Sequence, residues 1–496
     1  MPARDRRVDM AVALTGGAPN DVRDVLDGTA VVVALDPSDG AAAVLAAAAL
    51  VAMSARVVGH VIVGPVPLPH PNPWGTRTLP GVAAASRLDR PVGGGLTSRR
   101  ITVRVGGARR GADIYVGGSD WTAVVSRHGP VPIGSCPLGG LGLQVAAALA
   151  VGEILKELLG PIGMRCVPID GELVWNLVDG QLGPAPSLDT DPARGSPSPL
   201  PVALLGAGSI GSSAAAALAF TGLGGVVDVV DPDHFDPARN AYRCPGVPAG
   251  ERSAKATWAA EILRQAGWRA RPYVGQITEW STTRPEPGYP GLALVSVDNV
   301  DGRRDAGDLM ASTTVSAGIS GPALHVHRHR AIDDFACPYC EFVDARQWRE
   351  QAEVYARLGL TVNRLQALLG GAKLTVEDVA TAIWTGAVDS KAVHELPGRR
   401  LVDLIARHYA TVAVRVGEEA VPHLVSAPHV PWLAGTLLAA EVVKAAVGLP
   451  GLDRRVELDL SGVPLGGWRR PPRDPSGRCP CSSPPRRDVA RTLYDR

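Results

Sequence analysis

The chain has 496 residues, which is enough for two to four domains with sizeable cores. Its 50 Lys and Arg residues balance 49 Asp and Glu residues, so no excess of charge favours nucleic acid or anionic lipid as a partner. Seven cysteines in this length do not indicate a disulfide scaffold, and the apolar run at 41–53 is too short for a membrane span. The N-terminus has no secretory signal pattern, so we expect a soluble, cytoplasmic protein that binds neither nucleic acid nor membrane.

The first 180 residues show a strand–helix–strand pattern. Residues 1–27 predict one short amphipathic helix. Buried strands are predicted at 29–35, 57–63, 100–105 and within 113–125, with a helix at 39–53. This pattern is typical of a nucleotide-binding fold, but the loop after the first strand reads Asp-Pro-Ser-Asp-Gly and lacks a glycine-rich phosphate cradle. The sequence therefore predicts a nucleotide-type fold without its site.

A short pattern of charged residues occurs twice in the chain. A helix of small residues at 141–159 ends in Glu153, Lys156 and Gly160, and the same spacing returns at Glu441, Lys444 and Gly448. Each copy closes a helix that follows a proline-containing turn, and each precedes a predicted strand. Chance remains an alternative for so short a pattern, but we interpret it as an internal duplication in which 1–180 is the degenerate copy.

The remaining chain divides by composition. Residues 181–200 are rich in Pro, Ser, Gly and Asp and predict a linker. Residues 201–482 predict the second α/β domain, interrupted by a helical insertion at 342–409, and 483–496 predict a C-terminal tail. Strands are predicted in this domain at 202–205, 226–230, 313–319, 323–329 and 455–460.

The second domain opens with a glycine-rich stretch. Gly206, Gly208 and Gly211 form GxGxxG between a buried strand and an Ala-rich helix, and Asp231 ends the next strand. Such glycines allow a tight turn and close approach of an anion to the helix N-terminus, while the acid suits a ribose hydroxyl. The motif alone is a weak indication of function. By itself it favours a nicotinamide or flavin dehydrogenase, or merely a tight turn beside a surface acid.

The residues after Asp231 change this interpretation. They are, in chain order, Asp233, Asn240, Arg243, Lys255 in a helical run, and Asp298 after an apolar strand. This order resembles the motif of the ThiF/MoeB/ubiquitin-activating adenylyltransferase superfamily, from about residue 201 to residue 481. The resemblance implies a doubly wound, mainly parallel α/β sheet of Rossmann type, ATP and Mg²⁺ as cofactors, and a pair of such halves. One intact and one degenerate half in a single chain would make an intramolecular pseudo-dimer, which is compatible with a monomer.

The resemblance also implies roles for these residues. Asp231 would bind the ribose, with Asp233 beside it, and Asn240, Arg243 and Lys255 would contact the triphosphate. Cations suit this chemistry because attack at the α-phosphorus gathers negative charge. Asp298 would help to hold Mg²⁺ at the carboxyl edge of the sheet. The alternatives are solvated surface charges for Arg243 and Lys255, and a helix N-cap for Asp298.

Four cysteines form two close pairs, Cys337 with Cys340 and Cys479 with Cys481. A structural zinc ion takes four such ligands, and relatives in the superfamily carry one in two C-x-x-C pairs. The second pair here is C-x-C, which leaves the fourth ligand open, and two reduced turns without metal are the alternative. The remaining thiols, Cys136, Cys166 and Cys244, are expected to be packing residues.

Three histidines, His325, His327 and His329, alternate along a predicted strand and so share one face. A metal cluster needs a further ligand that the sequence does not supply. We expect these histidines to lie at the surface or in a substrate groove.

The function predicted from the resemblance is ATP-dependent adenylation of a C-terminal carboxylate, with release of pyrophosphate. The carboxylate would belong to a ubiquitin-like protein, a sulfur-carrier protein or a ribosomal peptide. No cysteine occurs between Cys340 and Cys479, so the usual thioester route is missing and direct transfer of the acyl-adenylate is expected. A nicotinamide-dependent dehydrogenase and an inactive binding scaffold remain alternatives.

Overall fold

The computed structural model divides into two compact units, one of Met1–Cys340 with Val425–Arg496 and one of Glu341–Leu424. The residues that it describes are 5–88, 98–182, 200–284, 287–340, 343, 355–369, 371–401, 403–405, 407–408, 426–453, 455–462 and 467–495. The first unit contains two β-sheets. We call residues 5–182 the N-terminal half, and residues 200–340 with 426–495 the glycine-loop half.

The N-terminal half is built on a six-stranded sheet of order β2-β1-β3-β4-β5-β6. The first four strands in this order run parallel to one another. Strand β5 is antiparallel to β4, and β6 is antiparallel to β5. The strands are β1 (Thr29–Leu35), β2 (His60–Val63), β3 (Arg99–Val105), β4 (Ile114–Gly118), β5 (Thr122–Ser126) and β6 (Glu172–Asn176). The segment 113–125, predicted as strand-like, is thus a tight antiparallel pair.

Five helices surround this sheet: α1 (Arg6–Thr15), α2 (Pro19–Asp27), α3 (Ala41–Ser54), α4 (Leu79–Ser86) and α5 (Leu141–Leu159). The single helix expected within 1–27 is therefore two helices, because Gly16 takes a left-handed conformation that ends the first. Helix α3 is buried along its whole length from Ala42 to Ser54, as its all-apolar sequence requires.

The glycine-loop half is built on an eight-stranded sheet of order β14-β13-β12-β11-β10-β7-β8-β9. The five neighbouring strands β9, β8, β7, β10 and β11 run parallel to one another. Strands β12, β13 and β14 are then added in turn, each antiparallel to the strand before it. The strands are β7 (Pro201–Leu205), β8 (Val226–Val230), β9 (Arg269–Tyr273), β10 (Tyr289–Val295), β11 (Ala311–Ser320), β12 (Ala323–Arg330), β13 (Arg455–Asp459) and β14 (Gly467–Arg469). The predicted α/β fold with mainly parallel sheets is confirmed.

The helices of this half are α6 (Ser209–Phe220), α7 (Pro237–Asn240), α8 (Lys255–Gln265), α9 (Ile277–Thr282) and α10 (Val300–Asp308), followed after the second unit by α14 (His429–Ala446) and α15 (Pro484–Tyr494). The segment predicted as a tail is thus largely the helix α15. The Tyr494 hydroxyl donates to the Met310 carbonyl at 2.7 Å and accepts from the Tyr289 amide at 3.0 Å. These bonds join the end of the chain to β10.

The six strands of the first sheet correspond to six of the eight strands of the second. The order β2-β1-β3-β4-β5-β6 matches β8-β7-β10-β11-β12-β13, with each neighbouring pair running in the same relative direction. Helix α3 follows β1 as α6 follows β7, and α5 precedes β6 as α14 precedes β13. Helix α14 packs against both α5 and α6, so the small-residue helices of the two halves share one core.

The second unit contains α11 (Val362–Leu369), α12 (Val376–Trp384) and α13 (Ala392–Glu395) around a small apolar cluster of its own. A capping box at Thr375 and Asp378 begins α12, and Arg364 binds the same carboxylate at 2.6 Å. Most of the predicted linker, 183–199, lies outside the described residues. Within the described ranges, every helix is too short or too polar to cross a bilayer.

Candidate functional site

The glycine-rich turn lies where β7 leaves the sheet and α6 begins. Gly206 has φ of +91°, a conformation that L side chains rarely adopt, and Gly208 is the N-cap of α6. The hydroxyl of Ser296, just beyond β10, donates to the Gly206 carbonyl at 2.7 Å. The turn is thereby fixed against the neighbouring strand.

The other two glycines of the motif have different surroundings. A Cβ atom on Gly211 would lie 2.0 Å from the Gly206 carbonyl oxygen, so the helix can pack on the turn only with glycine there. A Cβ atom on Gly208 would meet nothing within 4 Å among the described residues. Since no atom of the described residues requires a glycine at 208, the space above it is open to a ligand at the helix N-terminus.

Asp231, the residue after β8, joins this turn to its own loop through its two carboxylate oxygens. Its Oδ2 accepts from the Ala207 amide at 2.6 Å, and its Oδ1 accepts from the Asp233 amide at 2.9 Å. Burial raises the pKa of this carboxyl, while Lys255 and the two amides act in the opposite direction. Asp231 therefore shapes the loop, and the predicted contact with a ribose stays a prediction.

Lys255 begins α8 and lies in the same group. Its Nζ atom is 2.7 Å from Asp233 Oδ2 and 4.0 Å from Asp231 Oδ1, and its side chain is 9% exposed. The Asp233 side chain is 66% exposed. The structure thus brings Asp231, Asp233 and Lys255 together beside the glycine-rich turn.

Asn240 and Arg243 lie on the segment between β8 and α8. Asn240 is buried, and its Oδ1 accepts from the Asp236 amide at 2.8 Å, so one side-chain atom of this residue stabilises α7. The Nε atom of Arg243 is buried and has no hydrogen-bond partner among the described residues. A guanidinium nitrogen removed from water and left unpaired is unfavourable unless a ligand binds it.

The position of Arg243 relative to the turn follows from its neighbour, Cys244. The Cys244 thiol contacts Ser212 in the first turn of α6, and the charges of Arg243 and Lys255 both act on its pKa. Burial raises that pKa, and the cations oppose the rise. The contact of the thiol with Ser212 places the residue after Arg243 against the first part of α6, and Lys255 lies beside the glycine-rich turn through its contacts with Asp231 and Asp233. An anion is favoured at this end of the helix.

Asp298 lies in the bend after β10 and is exposed. The adjacent Val297 lies 3.1 Å from the position of a Cβ on Gly206, so this bend borders the glycine-rich turn. The helix N-cap expected as the alternative for Asp298 is instead Asn299, whose side chain accepts from the Gly302 amide at 2.6 Å. Asp298 is thus a carboxylate at the carboxyl edge of the sheet that does not cap the helix.

Two residues at this edge were not predicted from the sequence. Ser296 holds the Gly206 carbonyl, and the buried Arg303 of α10 donates to the Ser316 hydroxyl at 2.8 Å. Desolvation lowers the pKa of Arg303 to about 10, and the Asp298 charge opposes that change. A polar residue directly after an apolar strand was the available signal for Ser296.

The four predicted metal ligands converge, although they come from distant parts of the chain. The sulfurs of Cys337, Cys340, Cys479 and Cys481 all lie within 4.8 Å of one another, and the close pairs are 3.3 to 3.8 Å apart. Four sulfurs at about 2.3 Å from one zinc ion would be spaced at about 3.8 Å in a tetrahedron. The donor set therefore fits zinc, and the C-x-C pair contributes both of its sulfurs.

The three histidines share one face of β12, as their alternation predicts. His327 and His329 are nevertheless buried, at 1% and 6% exposure, so the expectation of surface or groove residues is wrong for both. Phe335 packs against both rings, at 6.4 and 5.9 Å between centroids. Burial lowers their pKa values to about 3 and about 4. These two side chains therefore belong to the interior.

Comparisons with models of protein families and with curated proteins gave no match. Solved structures with similar folds include E. coli MccB with ATP, at 13% identity and a TM-score of 0.34 over 57% of this chain and 67% of that chain. The microcin C7 biosynthetic enzyme MccB in complex with N-formylated MccA matches at 14% identity and a TM-score of 0.34 over the same shares. PaaA matches at 13% identity and a TM-score of 0.30, over 55% of this chain and 72% of that chain.

This chain spans only 64% to 67% of the length of the MccB chains that it matches. The architecture, two mainly parallel sheets covered by helices, is the α/β fold of Rossmann type that the sequence resemblance implies.

Proposed function

We propose that this chain is an adenylyltransferase that transfers AMP from ATP to the C-terminal carboxylate of a protein or peptide. The observation that carries the proposal is the buried, unpaired Nε of Arg243, on a segment that packs at the N-terminus of α6. An anion bound above Gly208 would supply the partner that this nitrogen lacks among the described residues. A triphosphate suits a site with two cations better than a dinucleotide pyrophosphate does.

The reaction follows from the charges at the site. A carboxylate oxygen of the partner would attack the α-phosphorus of ATP, and the bond from this phosphorus to the bridging oxygen would break. Pyrophosphate would leave with that electron pair, and an acyl-adenylate would remain. Arg243 and Lys255 would offset the negative charge that gathers on the phosphoryl oxygens in the transition state.

Mg²⁺ is the second cofactor that we propose. The exposed Asp298 carboxylate stands at the carboxyl edge of the sheet beside the glycine-rich turn. Mg²⁺ binds proteins through one or two carboxylates while it keeps waters and substrate phosphates as its other ligands. Asp298 would hold the ion there, and the ion would neutralise part of the polyphosphate charge.

The partner belongs to one of three classes: a ubiquitin-like protein, a sulfur-carrier protein or a ribosomal peptide such as MccA, which is present in structures of MccB. All three end in a free carboxylate, which is the group the reaction requires. We propose the Cys337, Cys340, Cys479 and Cys481 cluster as a closed structural zinc site, which would leave no open coordination position for chemistry.

The N-terminal half would be the inactive counterpart of the glycine-loop half. The matching strand orders support this proposal. The loop after β1 continues into a short helical turn at Pro37–Asp39 and contains no GxGxxG, so it lacks the backbone cradle for a phosphate. The two halves would form a pseudo-dimer within one chain, and one ATP would bind per chain.

ATP–pyrophosphate exchange that depends on an added carboxylate partner tests the proposed function. Arg243→Ala is expected to lower this exchange by about 100-fold or more, because a lost transition-state donor has effects of that order. Arg239→Ala is the matched control, since Arg239 is exposed and lies four residues earlier on the same segment. Its exchange should stay within about twofold of the unmodified protein.

Two results would reject the proposal. One is tighter binding of NAD than of ATP by the unmodified protein, which would return the site to the dehydrogenase class. The other is equal loss of exchange in the Arg243 and Arg239 variants, because the exposed Arg239 would then matter as much as Arg243.

A further inference from the structure

The N-terminal half binds the loop that carries Arg243. We call residues 241–250, between α7 and α8, the Arg243 loop; they form turns without helix or strand. The indole Nε1 of Trp74 donates to the Pro245 carbonyl at 2.9 Å, and Arg56 donates to the Val247 carbonyl. The Ala249 amide donates to the carbonyl of Ala85 at 2.8 Å. Three hydrogen bonds thus cross between the halves within five residues of this loop.

Aromatic packing fixes the same loop. The Trp74 ring is buried and lies 6.2 Å from the Trp432 ring of α14, almost parallel to it, and 6.0 Å from the Phe220 ring of α6. A Cβ on Gly246 would lie 3.4 Å from the Trp432 ring and 3.2 Å from the side chain of Ala216. The buried middle of the loop, at Gly246, therefore packs against α6 and α14.

Arg56 is an unusual residue for a protein core. Its side chain is fully buried, and among the described residues its Nε and Nη1 atoms have no hydrogen-bond partner and its guanidinium forms no ion pair. A buried guanidinium without a counter-charge disfavours folding, and burial lowers its pKa to about 10. The one hydrogen bond of its side chain to a described residue is to the Arg243 loop.

Arg56 also shares the electrostatic surroundings of the site. The Cys244 thiol lies close enough to Arg56, Arg243 and Lys255 for all three charges to act on its pKa. The side chain contributed by the N-terminal half thus borders the residue that follows Arg243.

We propose that Arg56 and Trp74 are positioning residues that hold the Arg243 loop in the geometry from which Arg243 stabilises the transition state. The inference rests on the proposed function for the role of Arg243, and it gives the N-terminal half a role in catalysis although that half has no glycine-rich cradle. A cation on a loop without regular structure contributes to transition-state stabilisation only if the loop is held in place, since small displacements have large effects on rate.

The mildest test is Trp74→Phe, which keeps an aromatic ring against Trp432 and removes the hydrogen bond to the Pro245 carbonyl. We expect the maximal rate of ATP–pyrophosphate exchange to fall about tenfold while the KM for ATP changes by less than about threefold. Arg56→Met should act in the same direction. Trp175→Phe is the matched control, because Trp175 is equally buried and donates to the Gly180 carbonyl at 3.0 Å within the N-terminal half.

A double-variant comparison separates positioning from general damage to the fold. If Trp74 acts through Arg243, adding Trp74→Phe to Arg243→Ala should lower the residual exchange by less than about twofold. An equal tenfold loss in both backgrounds would overturn the proposal, because Trp74 would then act independently of Arg243.

Hydrogen exchange tests the positioning without reference to adenylation. Backbone amides within 241–250 should exchange faster in Trp74→Phe than in the unmodified protein, while those in α5 and β1 stay unchanged. Unaltered amide hydrogen exchange in the loop of Trp74→Phe would overturn the inference even if the enzyme catalyses ATP–pyrophosphate exchange. The loop amides of Trp74→Phe could exchange faster although the unmodified protein shows no ATP–pyrophosphate exchange. That result would reject the proposed function, while Trp74 would still hold the Arg243 loop in place.

Discussion

Lys444 and Glu441 form an ion pair inside α14, with 2.6 Å between Lys444 Nζ and Glu441 Oε1 and both side chains 1% exposed. The Leu452 amide donates to the second carboxylate oxygen at 3.0 Å. Lys156 and Glu153 repeat the arrangement in α5, at 2.7 Å, with the Ile169 amide on the second oxygen. The repeated E-x-x-K pattern therefore marks the same buried ion pair in both halves. In each, the glutamate also binds a backbone amide of the segment that follows its helix.

Removing one partner of this pair should destabilise the fold strongly. Lys444→Met removes the closest cation of the buried Glu441 carboxylate and leaves Arg328, at 3.8 Å, so we expect the free energy of unfolding to fall by about 3 kcal/mol. Replacing both residues, in Glu441→Leu with Lys444→Met, should recover part of that loss because no charge stays buried. Urea unfolding measures both variants.

The control is an exposed ion pair. Arg491 and Asp488 lie 3.7 Å apart with side chains 54% and 73% exposed, so Arg491→Met should change the stability by less than about 1 kcal/mol. A loss in Lys444→Met no larger than that of the control would contradict the structural role assigned to the E-x-x-K pattern.

His429 predicts a dependence of stability on pH. It is fully buried at the start of α14, where its ring lies 3.4 Å from the position of a Cβ on Gly152, and burial, assisted by the charge of Lys156, lowers its pKa to about 3. The unfolded chain takes up this proton below about pH 6.5 while the folded chain does not. Stability from this residue is thus present above pH 6.5 and is lost as the pH falls towards 3.

Between pH 7 and pH 5 this single residue should lower the free energy of unfolding by about 2 kcal/mol. His429→Leu should therefore show a shallower loss of stability over this range than the unmodified protein. His394→Leu, at an exposed histidine of the second unit, should leave the pH profile unchanged. Identical pH profiles for the unmodified protein and His429→Leu would contradict a neutral, buried ring.

The glycine-rich turn offers a pair of substitutions with opposite expectations. Gly211→Ala would place a Cβ 2.0 Å from the Gly206 carbonyl oxygen, so the turn must shift and both stability and ATP binding should fall. Gly208→Ala meets no described atom within 4 Å and should fold normally. Its methyl group would occupy the space above the helix N-terminus, so we expect ATP affinity to weaken about tenfold or more at unchanged melting temperature. Undiminished ATP affinity in Gly208→Ala would argue against a phosphate at this position.

Zinc should be bound by the cysteine cluster and support the fold. We expect about one zinc ion per chain by elemental analysis and a lower melting temperature for Cys337→Ser, since a closed thiolate site contributes directly to folding. Cys166→Ser is the control, because this thiol lies in the N-terminal half and its sulfur is 3.7 Å from the Lys156 carbonyl oxygen. Protein purified without chelators that contains no metal would reject the zinc site.

The sequence supplied the parts of the site that local patterns encode. The GxGxxG spacing, the acid after β8 and the paired cysteines each follow from a short stretch, and the structure forms the corresponding turn, loop contact and sulfur cluster. Alternation placed His327 and His329 on one strand face. It did not predict their burial, because whether a face is covered depends on distant segments such as the one that carries Phe335.

The contacts between the two halves could not be predicted from the sequence. The hydrogen bond from Arg56 to Val247 joins residues 191 positions apart, and neither residue belongs to a motif. Long-range contacts of this kind arise from the packing of two sheets and their helices around a shared core, which no local period records. The same limit applies to Tyr494, whose contact with β10 converts a predicted tail into a packed helix.

The last prediction concerns the fate of the acyl-adenylate. No cysteine occurs between Cys340 and Cys479, and Cys244 is the thiol nearest the proposed nucleotide site by sequence. Its side chain is fully buried, and burial raises the pKa of the thiol despite the nearby cations. A buried, protonated thiol is a poor nucleophile, so we expect direct transfer of the acyl group to an external nucleophile. With ATP and the carboxylate partner, intact mass measurement should detect no reducible adduct on the chain, and Cys244→Ser should retain exchange within about threefold. An adduct on the unmodified chain that disappears in Cys244→Ser would mean that a thioester forms at Cys244 after all.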